Sequence, residues 1–259
     1  MLHNAGQNRG MTDARPDKVK VESSAKRVRA YLGGSLVADT YAPVLVWERP
    51  SHPTYYLPVA DIRAELVTSG EVTHSPSLGD ATVYDVTTPT GKAAGAARRY
   101  PGSPVQPLRD LVRLDWAAMD EWFEEDEPVY VGPRDPYTRV DILASSRHVE
   151  VKLDGVTLAD SHRPHILFET GLPPRYYLPI TDLRTDLLRP SDRQTRCPYK
   201  GTATYWSVVI GDATYDDLVW CYRTPLPESQ KIAGLACFYT ERVDLYVDGV
   251  PQERPPRRR

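Results

Sequence analysis

The sequence predicts a mainly β fold, built from two tandem small domains with a few short helices. Residues 28–66 align with residues 149–187 at a constant shift of 121, without a gap, and 15 of the 39 positions are identical. Self-similarity at a fixed period indicates two copies of one folding unit. The chain also has 24 prolines in 259 residues, which favours many short elements joined by rigid turns because proline interrupts helices and central strands.

Both copies open with the same succession of elements. A first strand precedes a glycine-containing turn, and a short second strand follows. A Tyr-Tyr-Leu-Pro run then predicts a strand that its proline ends, before a short helix with apolar residues four apart. The expected elements are strands at 28–32, 44–48 and 55–58 with a helix near 59–67, and strands at 149–153, 165–169 and 176–179 with a helix near 180–188.

The copies differ in their second halves. The second copy has Cys-Pro-Tyr-Lys-Gly at 197–201, whereas the first has Ser-Pro-Ser-Leu-Gly at 75–79. Strands are expected after the second-copy segment, near 202–210 and 214–222. The first copy carries an additional stretch, 107–126, whose apolar residues recur at helical spacing and predict an amphipathic helix with Asp115 as its N-cap.

The resulting domain organisation has four parts. Residues 1–26 are polar and lack periodicity, so we expect them to be disordered. Residues 27–146 form the first repeat, which we assign a structural role, and residues 147–253 form the second, which holds the candidate pocket. Residues 254–259 form a basic tail with four arginines, which we interpret as solvated chain because a short basic run is a weak motif.

Composition narrows the partners that we expect. The net charge of −3 gives no global attraction for nucleic acid or an anionic membrane. No apolar run approaches the about 20 residues that span a bilayer, and the N-terminus has no signal-peptide core. The three cysteines are scattered without a Cys-x-x-Cys pair, which argues against a disulfide framework and a structural zinc site. We therefore expect a soluble cytoplasmic protein without a cofactor.

The reactive and aromatic residues of the second copy are the candidate site. A cysteine near a lysine can be an activated thiolate, so Cys197 is the candidate catalytic residue. A cavity lined by aromatics with a few polar groups is the usual form of a small-molecule site. We expect no metal site, since the proline between His162 and His165 prevents a shared helix face. The predicted ligand-binding residues are Tyr177, Tyr199, Lys200, Trp206, Trp220 and Tyr222.

These motifs resemble a known family. Cys-Pro-Tyr-Lys-Gly at 197–201, Tyr-Trp-Ser at 205–207 and Pro-Leu-Pro-Glu at 225–228 are similar to the bacterial family called domain of unknown function 427, in its two-copy form. The resemblance covers residues 27 to 253 and implies a small, mostly β unit of the β-tent group. That group includes the thalidomide-binding domain of cereblon and B-type methionine sulfoxide reductases, which hold zinc by paired Cys-x-x-Cys motifs that this chain lacks.

Three functions follow as hypotheses. The first is a binding module that encloses a small ligand, planar or cationic, in an aromatic pocket of the second repeat gated by Tyr199 and Lys200. The second is an enzyme that uses Cys197 as nucleophile or redox thiol. The third is a protein-interaction scaffold that uses the predicted helix at 107–126 and the acidic run 121–127. The oligomeric state and the ligand's identity are not encoded in a recognisable pattern.

Overall fold

The computed structural model describes residues 19–50 and 52–256, which divide into two compact units. The first unit ends at Pro128 and the second begins at Val129. Each contains one seven-stranded and one four-stranded antiparallel sheet. The predicted mainly β fold in two tandem halves is therefore confirmed.

The first unit builds its large sheet in the order β1-β4-β5-β9-β8-β7-β6 and its small sheet in the order β11-β10-β2-β3. Short 3₁₀ turns lie at 59–61, 106–108 and 116–118. The strands are β1 (Lys20–Ser23), β2 (Val28–Leu32), β3 (Ser35–Thr40), β4 (Val44–Arg49), β5 (His52–Pro58), β6 (Glu65–Ser75), β7 (Gly79–Thr87), β8 (Lys92–Arg99), β9 (Leu111–Leu114), β10 (Glu121–Glu124) and β11 (Glu127–Pro128).

The second unit repeats this arrangement. Its large sheet has the order β12-β15-β16-β20-β19-β18-β17 and its small sheet the order β14-β13-β21-β22. Short 3₁₀ turns lie at 180–182, 185–187 and 227–232. The strands are β12 (Val140–Ala144), β13 (Val149–Leu153), β14 (Val156–Ser161), β15 (His165–Glu169), β16 (Arg175–Leu178), β17 (Leu188–Cys197), β18 (Gly201–Ile210), β19 (Ala213–Cys221), β20 (Ala236–Phe238), β21 (Asp244–Val247) and β22 (Val250–Pro251).

The edges of the two units differ from those read off the sequence. β12 lies before the expected junction at 146/147, yet it pairs with β15 of the second unit. At the N-terminal end, Lys20–Ser23 form β1 and pair with β4. The expected disorder of residues 1–18 and the end of the basic tail, 257–259, lie outside the described residues. Arg254 in the tail's first part donates to Asp244 at 2.6 Å.

The predicted helix at 107–126 is wrong. The stretch contains β9 and β10 with two short 3₁₀ turns, and β9 pairs with β5 and β8 inside the large sheet. Leu111 and Val112 are buried as sheet residues. The pairing of β9 with a strand on each side therefore outweighs the helical spacing of its apolar residues. Asp115 does accept a hydrogen bond from Ala117 N, at 3.2 Å, but it caps only a 3₁₀ turn.

The expected helices near 59–67 and 180–188 are also shorter than predicted. The first is one 3₁₀ turn at 59–61, and the second is two 3₁₀ turns at 180–182 and 185–187; in both units the first turn starts directly after the proline of the Tyr-Tyr-Leu-Pro run. The first turn of each ends at an extended residue, Ile62 or Leu183, because Ile62 bridges to Ala38 and Leu183 bridges to Ala159. No helix in the part of the chain that the structure describes has the length and apolar character to cross a bilayer.

The main core of the second unit lies between its two sheets. Val149, Val151 and Leu245 of the small sheet pack against Val219 and Phe238 of the large sheet. Each such fully buried apolar side chain contributes about 1.5–3 kcal/mol relative to exposure. One face of the large sheet is thus committed to this inter-sheet core, and its opposite face carries the residues considered below.

Candidate functional site

The opposite face of the second unit's large sheet holds a row of buried aromatic side chains. Tyr205 pairs in register with Trp220, Trp220 with Cys237, and Cys237 with Tyr177. Residues paired across antiparallel strands point to the same face, so these side chains are neighbours. Tyr222 packs with them, two residues beyond Trp220. We call Tyr177, Tyr205, Trp220 and Tyr222 the aromatic cluster, and each is 1–8% exposed.

Tyr177 and Trp220 form the centre of this cluster. The indole Nε1 of Trp220 donates to the hydroxyl of Tyr177 at 3.2 Å. Their rings meet edge-to-face, with centroids 6.4 Å apart and an interplanar angle of 89°. Burial raises the pKa of Tyr177 well above its usual value of 10.0, so this phenol stays protonated and polar without carrying charge.

A partly exposed rim borders the cluster. The ring of Tyr239 lies 4.6 Å from that of Trp220 and stacks on Tyr205 at 6.5 Å. The guanidinium carbon of Arg175 lies 5.6 Å from the Trp220 ring, and that of Arg193 lies 4.9 Å from the Tyr205 ring. These two side chains occupy the positions where a cation would contact the rings. We call Tyr239, Arg175 and Arg193 the cluster rim.

Lys200 makes a buried ion pair. Its Nζ donates to Glu169 Oε2 at 2.6 Å, and the two side chains are only 10% and 11% exposed. Glu169 lies on the same face of β15 as Leu167, which packs in the aromatic cluster. Lys200 therefore lies beside the cluster, with its charge balanced by a carboxylate.

Tyr199 is held in place on both sides. Its hydroxyl accepts a hydrogen bond from Asp135 N at 2.8 Å, and its carbonyl accepts one from Ser229 Oγ at 3.0 Å. Burial raises the pKa of the Tyr199 phenol above its usual value. A gate formed by Tyr199 and Lys200 would have to break these bonds and the ion pair to open.

Cys197 ends β17, is half-buried and packs against the aromatic cluster. Burial raises the pKa of the neighbouring Tyr222 above its usual value. Cys221 and Cys237 are fully buried, and all three thiols are free. Cys197 is thus the most accessible of the three.

Trp206 is separated from the other predicted ligand-binding residues. It pairs in register with Val219 and packs against the inter-sheet core, on the opposite face from Trp220. Neighbouring strand residues point to opposite faces, so Tyr205 is the residue that joins the cluster. The structure brings Tyr177, Trp220 and Tyr222 together, with Tyr199 and Lys200 in the turn that follows β17.

His165 adds a polar atom that the sequence did not single out. It pairs in register with Tyr177 and lies on the same sheet face. Its Nδ1 is buried and has no hydrogen-bond partner. A buried polar atom without a partner is costly, so the free energy of this face would fall if His165 Nδ1 gained a hydrogen-bond partner.

The same face of the first unit has different chemistry. Register pairing puts Arg98 at the place of Trp220 and Arg113 at the place of Cys237. The tyrosines are kept, since Tyr56 and Tyr100 pack together there with ring centroids 6.3 Å apart. The two units therefore share a framework, but the second is more aromatic.

Comparison with known proteins agrees with the duplication. None of the curated proteins matches this chain significantly. The profile of the family described as domain of unknown function (DUF427) matches residues 20–125 and, a second time, residues 141–249. The two matches fall one on each structural unit and together span most of the chain. The chain belongs to the DUF427 family, in a tandem two-copy form.

Proposed function

We propose that the second unit binds a small planar molecule at the aromatic cluster, with entry at the cluster rim. The observation that carries the proposal is the grouping of four aromatic side chains on one sheet face, with two guanidinium groups at its edge. Small-molecule sites are mostly apolar and aromatic, and a few polar groups fix the ligand's orientation. The replacement of Arg98 by Trp220 between the units supports a role confined to the second.

The rim favours an acidic ligand over a cationic one. Arg175 and Arg193 already lie over the Trp220 and Tyr205 rings, so a ligand cation would meet like charge. Arg175 donates to both carboxylate oxygens of Glu241, at 2.9 and 2.5 Å. Arg193 has a single contact with its acid partner, at 3.3 Å, and its side chain is 46% exposed. Arg193 is therefore the group that a ligand carboxylate or phosphate can reach.

His165 supplies an inner polar contact in this proposal. Its buried Nδ1 lacks a partner, and a ligand group that reached the Tyr177 side of the cluster would satisfy it. A hydrogen bond to this nitrogen would remove the free-energy cost of a buried polar atom without a partner, and it would thereby stabilise the complex. The three free thiols agree with a reducing compartment, and we propose the cytoplasm.

The alternatives have less support. The acidic run is largely paired within the first unit: Glu124 accepts from Tyr55 at 2.8 Å and Asp126 from Arg29 at 2.9 Å. A scaffold surface there would have to displace these bonds. An enzyme built on Cys197 remains a separate hypothesis, and a labelling experiment described in the Discussion tests it.

Thermal unfolding of the full chain with a series of planar aromatic monocarboxylates tests the binding function. At least one acid is expected to raise the midpoint, because a ligand that binds only the folded state stabilises it by mass action. Trp220→Leu and Arg193→Gln are expected to weaken that stabilisation. Trimethylammonium compounds of the same ring size are expected to have no effect.

Trp206→Phe is the matched control, since it alters an aromatic residue of the same strand pair on the opposite face. It is expected to keep the response to the acid. The proposal fails if no acid raises the midpoint of the wild-type chain. It fails equally if Trp206→Phe reduces the response as much as Trp220→Leu does.

A further inference from the structure

Two histidines and an aspartate meet at one end of the β13–β14 hairpin in the second unit. Val149 pairs in register with Ser161, so His148 lies opposite His162 just beyond the ladder. Asp160 precedes His162 by two residues and therefore points to the same face. These three residues lie outside the aromatic cluster, which is on the large sheet.

The three side chains are in contact. His148 Nε2 lies 2.7 Å from Asp160 Oδ1. The rings of His148 and His162 stack with centroids 4.1 Å apart and an interplanar angle of 10°. One potential ligand atom from each residue lies within 4.8 Å of the other two.

We propose that His148, Asp160 and His162 bind a divalent transition-metal ion, with Zn²⁺ as the representative ion. Imidazole nitrogens and a carboxylate oxygen suit Zn²⁺, and two histidines with one acid are a common three-ligand set whose remaining positions go to water or substrate. Paired Cys-x-x-Cys motifs have no part in this site.

The geometry needs only a small closure. A tetrahedral ion with bonds of about 2.0–2.2 Å holds its ligand atoms about 3.3–3.6 Å apart. The hydrogen-bonded His148 Nε2 and Asp160 Oδ1, 2.7 Å apart, therefore separate by about 0.6–0.9 Å. The His162 nitrogen, within 4.8 Å of the other ligand atoms, moves closer to them by at most about 1.5 Å, and the stacked rings turn so that their nitrogens converge. The Asp160 side chain is 56% exposed, that of His148 is 30% exposed, and His162 is exposed. These rotations leave the core undisturbed.

The backbone under His148 is fixed by Asp248. The carboxylate of Asp248 accepts from His148 N at 2.9 Å and from Arg147 Nε at 2.8 Å. Asp248 N donates in turn to His148 O at 2.8 Å. A ligand set held by a rigid backbone loses less conformational freedom when the ion binds.

The first unit shows what replaces the ion. At the equivalent positions it has Arg27, Asp39 and Tyr41. Arg27 Nε and Nη2 donate to the two carboxylate oxygens of Asp39 at 2.7 and 2.6 Å, and its guanidinium lies 5.2 Å from the Tyr41 ring. A permanent cation thus neutralises the acid in the first unit. The second unit keeps the acid and substitutes two metal-binding side chains for the cation and the phenol.

An ion at this site would lie beside a groove. Asp160 forms part of the wall of a surface groove of about 370 Å³. Water or a small anion in the groove can complete the coordination of an ion held by Asp160. The other lining residues are Thr157, Ala159, Thr181, Asp182, Leu183 and Arg184.

Isothermal titration of the untagged, metal-stripped full chain with Zn²⁺ tests the site. The wild type is expected to bind one ion saturably. His148→Gln and His162→Gln are each expected to weaken the affinity by at least about tenfold. In histidine ring NMR spectra, Zn²⁺ is expected to shift the His148 and His162 signals and to leave the His74 signals unchanged.

His74→Gln is the control, because His74 contacts Asp80 at 2.7 Å in the first unit but belongs to no three-residue group among residues 19–50 and 52–256. It is expected to keep the wild-type affinity. The site is disproved if Zn²⁺ binding to the wild type is not saturable, or if both glutamine variants bind as the wild type does. Urea unfolding confirms that each variant is folded before titration.

Discussion

Lys200 and Glu169 form an ion pair in the second unit, 2.6 Å between Nζ and Oε2, with both side chains about nine-tenths buried. The first unit keeps the acid as Glu48 but has Leu78 at the position of Lys200. Glu48 accepts from Tyr56 at 3.1 Å and contacts Arg113 at 3.5 Å. Each unit thus keeps the glutamate and pairs it from a different strand or turn, but Glu48 is 25% exposed and Glu169 only 11%.

Replacing Lys200 with methionine is expected to destabilise the protein by about 3 kcal/mol, because it leaves the Glu169 carboxylate buried without its partner. Urea unfolding followed by tryptophan fluorescence measures this loss. The double variant Lys200→Met with Glu169→Gln is expected to recover part of it, since the stranded charge is gone.

Arg184→Ala is the matched control for that loss. Arg184 also pairs with an acid, Asp186, but the two side chains are 54% and 59% exposed. Exposed pairs contribute about 0–1 kcal/mol, so this variant is expected to stay close to the wild type. Equal losses in Lys200→Met and Arg184→Ala would contradict the role given to burial.

Asp182 makes stability depend on pH in the acidic range. The hydrogen-bonded Arg163 guanidinium lowers the pKa of Asp182 to about 2, from an ordinary value of 3.8. Because the pKa of Asp182 is lower in the folded state than in the unfolded state, its ionised form contributes to the free energy of unfolding. This contribution is complete above about pH 4 and is lost as the pH falls toward 2. The fall in urea midpoint between pH 5 and pH 2.5 is expected to be smaller in Asp182→Asn than in the wild type.

Asp212→Asn serves as the control for that pH series. Asp212 lies exposed in the β18–β19 turn, and its removal is expected to leave the wild-type fall unchanged. If the urea midpoint falls as far between pH 5 and pH 2.5 in Asp182→Asn as in Asp212→Asn, the ion pair with Arg163 is not the cause of the pH dependence.

The duplication could be predicted, and so could the strands in the half of each unit that repeats. Turn residues and the alternation of apolar and polar side chains are local signals that a sequence carries directly. Gly33-Gly34 and Asp154-Gly155 predict hairpins, and β2–β3 and β13–β14 form there. The stretch 107–126 could not be predicted in the same way. Its helical spacing is a local signal, whereas the place of β9 between β5 and β8 depends on distant strands.

Gly33 and Gly34 provide a test of the first hairpin. Both have positive φ, +61° and +74°, but a Cβ on Gly33 would lie 2.6 Å from the carbonyl oxygen of Thr90, whereas one on Gly34 would meet open space. Gly34→Ala is expected to cost about 1–2 kcal/mol for the left-handed conformation. Gly33→Ala is expected to cost at least about 2 kcal/mol more, as measured by urea unfolding. Similar costs would show that the loop of Thr90 moves aside freely.

Part of the candidate site could be predicted from the sequence, because the turn between β18 and β19 determines which of their side chains share a face. A two-residue turn at Gly211-Asp212 pairs odd-numbered with even-numbered residues, so Trp220 shares a face with Tyr205 and not with Trp206. The bulge near Ser207 shifts the register by two residues and preserves this rule. The contribution of Arg175, from another strand, has no such local signal.

Thiol labelling at neutral pH separates the binding function from an enzyme based on Cys197. Burial raises the pKa of Cys237 to about 12, so its thiolate fraction at pH 7 is negligible, and Cys221 is inaccessible. We expect iodoacetamide to modify Cys197 first, at or below the rate of an unstructured thiol, because Cys197 is half-buried. Mass spectrometry of the wild type and Cys197→Ser follows each site. Labelling of Cys197 well above the rate of a free model thiol would instead indicate an activated thiolate, and it would favour covalent chemistry over simple binding.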